Sequence, residues 1–146
     1  MKYKKRIHIA PVGFEVDRIV IPAIDNKADK VYLLVHDNKT EDKAGPYIER
    51  VIKQLKANKI ESKTVQVNWR DVESITKAAR RLILEQFGND IFVNVASGSK
   101  NHAIALDRAI MTLEDQTGIV EFYAESEKYE GFKPGKQQLS TGVKDT

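Results

Sequence analysis

Ser97-Gly98-Ser99-Lys100 places two hydroxyls, a glycine and a cation where the apolar run Asp90 to Val95 gives way to a helical pattern. At the first turn of a helix the backbone N–H groups lack partners and carry partial positive charge. Gly98 admits a ligand close to the backbone. Ser97 and Ser99 can donate to phosphate oxygens and Lys100 adds a full charge, so the stretch has the chemistry of a phosphate-sized anion site. A plainer reading stands beside it, in which a serine caps the helix and the glycine makes a tight turn. Lys100 opposes the helix dipole, which argues for a compensating anion. Ala96, Asn101 and His102 flank the stretch, with His102 in the first helical turn, where it can face a ligand.

A second turn, Pro11-Val12-Gly13-Phe14-Glu15, follows the first apolar run. Gly13 by itself reads as a strand-to-helix turn. Phe14 reads as a core residue of the next helix or as a stacking face for a base. Glu15 and Asp17 read as solvated helix residues, with Arg18 pairing Glu15. His36-Asp37 closes the second strand and either reaches a ribose or caps its loop. His8, inside a strand, reads as a satisfied core or edge histidine. The first turn holds one glycine, so there is no G-x-G-x-x-G fingerprint, and the chain has no G-x-x-x-x-G-K-[ST] loop. Ser97 to Lys100 matches S-x-x-K without the companion S-D-N and K-T-G motifs of the β-lactamase group, and no G-x-S-x-G elbow occurs. The histidines have no metal-ligand spacing, and no cofactor is expected.

The elements that must position these turns alternate along the chain. Arg6–Val12, Lys30–Val35, Ser62–Val67, Asp90–Val95 and Gly118–Ala124 read as strands. Helical spacing runs over Phe14–Ile24, from Gly45-Pro46 through Leu55, from the N-cap Asp71 through Ile83, and over Ser99–Glu114. Pro22 weakens the end of the first helix, and Gly88-Asn89 stops the third. Such alternation predicts an α/β fold: a Rossmann-like, open, mostly parallel sheet of five or six strands with helices on both faces. In the common order 3-2-1-4-5, the turns after strands one and four meet where the order reverses, the place where open α/β sheets bind ligands.

The whole chain, 1–146, reads as one ligand-binding domain. Its loop-rich tail, 125–146, is a possible edge strand or a lead into an absent output domain. Lysine and arginine total 24 against 21 aspartates and glutamates, a net charge of +3 with both signs interspersed, too modest to define a nucleic-acid surface. The absence of cysteine excludes disulfides and thiolate chemistry and, with no signal-peptide core and no run long enough to cross a bilayer, predicts a cytoplasmic protein.

The segments RIHIAPVGFEVDRIVIPAIDNKADKVYLL (Arg6 to Leu34) and IFVNVASGSKNHAIALDRAIM (Ile91 to Met111) resemble the CARF domains, the CRISPR-associated Rossmann-fold sensors. Among these the chain is most similar to archaeal regulators that join such a domain to a winged helix-turn-helix. The resemblance implies a homodimer whose turns after strands one and four build a shared pocket. That pocket would hold a cyclic oligoadenylate, commonly cyclic tetra-adenylate, the messenger of type III CRISPR immunity. The family's strand-one motif falls on Val12, Gly13 and Phe14, and its strand-four motif on Ser97, Gly98, Ser99 and Lys100. Ser97-Gly98-Ser99 stands where many members have a double glycine. Three readings follow: a transcription-controlling sensor, with a winged-helix DNA-binding domain not in this chain; a ring nuclease; or an interaction domain with an empty crevice. For the nuclease, Lys100 would stabilise charge while Ser97 or Ser99 orients the phosphate for attack by a ribose 2′-OH, without a metal.

Overall fold

The structure, a computed structural model, describes residues 4–38, 43–126 and 143–145. Strands and helices alternate as β1 (Arg6–Pro11), α1 (Asp17–Asp25), β2 (Lys30–His36), α2 (Gly45–Ala57), β3 (Glu61–Val67), α3 (Val72–Glu85), β4 (Asp90–Asn94), α4 (Lys100–Met111) and β5 (Ile119–Phe122). The strands form one sheet in the order β3-β2-β1-β4-β5, every neighbouring pair parallel. The order reverses between β1 and β4, as the Rossmann-like reading requires.

The apolar strands are continuous because both faces are covered. On one face Ile7, Ile9, Leu34, Ile91 and Val93 pack against Ile75, Ala79 and Ile83 of α3 and Ala105, Leu106 and Ala109 of α4. On the other, Ala10, Val31, Leu33 and Val35 pack against Ile19 and Val20 of α1 and Val51 and Leu55 of α2. Asp71 caps α3 as its residue type predicts, its carboxylate accepting from the Glu73 and Ser74 N–H groups at 3.1 and 3.2 Å.

Three expectations need correction. First, α1 begins at Asp17 rather than Phe14, with Val16 at its N-cap making no side-chain capping bond. Phe14 and Val16 extend the apolar spacing, but Phe14 belongs to the turn. Second, β5 ends at Phe122 rather than Ala124, in a sheet whose five strands are one of the two counts expected. Third, Ala124–Ser126 (β6) pairs antiparallel with Val143–Asp145 (β7) in a separate ribbon beside α1, so this part of the tail is not an edge strand of the sheet. Residues 127–142 of the tail lie outside the described residues.

Candidate functional site

The turns after β1 and β4 touch through their backbones. A methyl group on Gly13 would stand 2.9 Å from the Gly98 nitrogen and 3.1 Å from its Cα. One on Gly98 would stand 2.7 Å from Pro11 Cβ and 2.9 Å from His102 Nδ1. Gly98 also has φ +81°, which side-chain-bearing residues seldom adopt. Both glycines are therefore required by the approach of one turn to the other.

Ser99 caps α4. Its hydroxyl lies 3.4 Å from the His102 N–H and 2.8 Å from His102 Nδ1, while its own N–H donates to Nδ1 at 3.0 Å. This is a capping box with histidine in the place usually held by Glu or Gln. Because Nδ1 accepts, the imidazole proton sits on Nε2. Burial, and then the positive potential of His36, lower the His102 pKa from 6.5 to about 4. His102 is thus a neutral ring at physiological pH.

Behind the turns, Asn94 ties α1 to the sheet. Pro22 has no N–H for the carbonyl four residues back, that of Arg18. The Asn94 amide donates to that carbonyl at 2.8 Å, and its Oδ1 accepts from the Ala96 and Ser97 N–H groups at 2.9 and 3.2 Å. Arg18 donates to the Ala96 carbonyl at 3.1 Å and pairs with buried Glu15. Pro22 therefore ends no helix; it frees an acceptor that the β4–α4 turn uses.

Beside the touching turns lies a cavity of about 340 Å³ over the carboxyl ends of β1, β2 and β3. Of the residues expected at the site, Val12, Gly13, Phe14, His36, Gly98, Ser99 and His102 line it. Leu34, Lys43, Ala44, Trp69 and Arg70 line it as well and were not foreseen. Trp69 and Arg70 follow β3, a turn that carries no motif. A lone tryptophan and an arginine at the carboxyl end of a strand were the available signal. His36 Nδ1 lies 3.0 Å from the Asp37 carboxylate and 3.3 Å from the Asn38 N–H.

The other expected site residues lie outside the cavity lining. Pro11 packs on Gly98. Glu15 is buried on Arg18 rather than solvated, and Ala96 is buried in the Asn94 network. Ser97 is 4% exposed, and its hydroxyl has no hydrogen-bond partner among the described residues. Asn101 donates to the Trp69 carbonyl at 3.1 Å, joining the start of α4 to the β3–α3 turn. Lys100 is exposed at the first turn of α4. With Ile104 and Met111, at 49% and 64% exposure, it forms one outward stripe of that helix. His8 is not the satisfied histidine expected: its Nε2 has no hydrogen-bond partner among the described residues, and the ring is packed by Phe92 and Phe122, centroids 5.0 and 5.6 Å away. Those neighbours offer stacking but no acceptor.

An open parallel sheet whose order reverses between β1 and β4, with a cavity beside the Gly13–Gly98 contact, defines an α/β protein of Rossmann-like fold. Residues 6–129 match the family model described as HFX_2341_N:-like, N-terminal, and the chain belongs to that family. It is 30% identical over 133 residues to the uncharacterized protein MJ1513 of Methanocaldococcus jannaschii, a match covering 87% of this chain and 40% of that protein. Can2 from Sulfobacillus thermosulfidooxidans, solved in complex with cyclic tetra-adenylate, superposes with a TM-score of 0.65 at 21% identity, over 81% of this chain and 31% of its own. Enterococcus italicus Csm6, bound to cyclic hexa-2′-fluoro-hexa-dAMP, gives 0.63 at 14% identity, over 86% of this chain and 35% of its own. The chain therefore spans well under half the length of these proteins. Among the described residues no helix is long and apolar enough to cross a membrane.

Proposed function

We propose that this domain is a sensor of cyclic oligoadenylate, with cyclic tetra-adenylate the leading ligand, bound across two copies of the chain in type III CRISPR signalling. The observation that carries the reading is the Gly13–Gly98 contact. It sets the first turn of α4, with the Ser99 hydroxyl and the helix's partial positive charge, beside an aromatic-walled cavity, so phosphate and nucleoside chemistry adjoin. Can2 and Csm6, which share the fold, were solved with cyclic adenylates, and the motif resemblance points to the same ligand class. Lys100 fits the two-copy arrangement: it lies on the outward stripe of α4 with Ile104 and Met111, where a second copy would bring it to a shared ligand. A symmetric pair presents each anion site twice, and two modest sites on one ligand give an affinity that neither has alone. The output is control of transcription through a winged-helix DNA-binding domain, or of another effector, in the cytoplasm.

The test is a thermal-shift series with cyclic tri-, tetra- and hexa-adenylate, followed by analysis of the recovered ligand. A ring present at 100-fold its dissociation constant should add about 2.7 kcal/mol of apparent stability. It should be recovered intact, and Lys100→Ala should lose most of the effect. Linear di-adenylate among the products would assign ring cleavage instead. Stabilisation by none of the rings would overturn the proposal.

A further inference from the structure

The cavity is a slot. The turn after β1 supplies Phe14 and the turn after β3 supplies Trp69, while Leu34 and His36 at the end of β2 lie between them, because β2 runs between those strands. Trp69 is held at both backbone and ring. Asn101, 32 positions along the chain, bonds its carbonyl at 3.1 Å, and His36 meets the indole edge to face, centroids 5.8 Å apart at 85°. The Arg70 guanidinium lies 5.1 Å from the indole centroid, so the ring already stands beside a planar cation. Lys43 also lines the slot. A flat ring bearing an anionic group, with the anion towards the α4 turn, is the ligand that such walls and charges recognise. A fused two-ring base covers more of an indole than a single ring does.

We infer that Trp69 stacks a purine base of the bound nucleotide in this slot and gives the site its preference for purine over pyrimidine. The inference rests on the nucleotide-sensor reading above but adds a residue and a selectivity to it. Because the holds on Trp69 already exist without ligand, stacking needs little further ordering, which favours affinity.

Trp69 is the only tryptophan of the chain, so its emission reports the slot directly. The full chain is titrated with AMP, UMP, ribose 5-phosphate and cyclic tetra-adenylate, by fluorescence and by calorimetry. AMP and the ring should quench Trp69, UMP should do so less, and ribose 5-phosphate should leave it unchanged. By calorimetry Trp69→Ala should weaken AMP binding roughly five- to a hundredfold. Trp69→Phe should keep most of the affinity, which separates lost stacking from lost folding. If AMP quenches and Trp69→Ala weakens its binding by that factor while the ring does not bind, the stacking stands and the messenger reading falls. If the ring stabilises the protein with Trp69 emission unchanged and Trp69→Ala binding as before, the stacking falls and the sensor reading stands. Emission unchanged by every probe overturns the inference.

Discussion

His8 and His102 are buried, uncharged imidazoles, and each makes the fold acid-sensitive. Burial comes first for both, followed by Arg6 for His8 and His36 for His102, and each pKa falls from 6.5 to about 4. As pH drops below 6.5 the unfolded chain takes up these protons and the folded chain does not, so stability present above 6.5 is lost towards pH 4. Between pH 7 and pH 5 each histidine should remove about 2 kcal/mol. Glu121 runs the other way. Burial, a hydrogen bond to Asp107 and that residue's charge raise its pKa to about 7, so its contribution is full below 4.5 and disappears as pH rises through 7. Largely exposed and screened, it should offset only part of the loss. Urea unfolding at the two pH values should show a net fall on acidification. His8→Leu should cut that fall by about half while leaving stability at pH 7 intact. A pH-independent unfolding free energy would refute the neutral-histidine account.

At the scale of elements, the coupling of α1 to β4 rests on a mismatch between a proline and a helix. Pro22 leaves the Arg18 carbonyl without its helical donor, and Asn94 supplies one from across the sheet. Asn94→Ala strands that carbonyl and two N–H groups at the β4–α4 turn, at a cost of about 2–4 kcal/mol. Pro22→Ala restores a helical donor for Arg18. In that background the cost of Asn94→Ala should shrink by about 1 kcal/mol, a coupling that a double-mutant cycle in urea measures. Strict additivity would show that Asn94 acts only on its own turn. The start of α1 escaped the periodicity reading for a related reason. Phe14 is apolar and correctly spaced, yet it belongs to the turn and lines the cavity, and periodicity cannot distinguish a residue facing a core from one facing a cavity.

For the whole molecule, the outward stripe of α4 sets the next prediction. Ile104 and Met111 lie seven residues apart on the helix that begins at the candidate anion turn, and both are substantially exposed. If two copies share one ligand, this stripe is the apolar surface suited to meet its counterpart. Sedimentation should give a dimer for the native chain and a monomer for Ile104→Asp. That variant should keep its circular dichroism and lose stabilisation by cyclic oligoadenylate. A native monomer that still binds the ring at full strength would remove the symmetric arrangement.

Element types and their order follow from the chain alone, because burial on both faces writes unbroken apolar runs into parallel strands and helical spacing into their partners. The two turns flanking the order reversal were legible for the same local reason: glycine, serine and lysine at a strand end have a chemistry of their own. The tertiary structure decided what those turns touch. Gly13 meets Gly98 only because β1 and β4 lie side by side. The cavity opens towards β3 only because β2 separates the turns that wall it. Trp69 enters the site through a bond from Asn101, 32 residues on. Periodicity is a property of neighbours along the chain, whereas a cavity is a property of neighbours in space, and the strand order that converts one into the other is set by packing across the whole sheet.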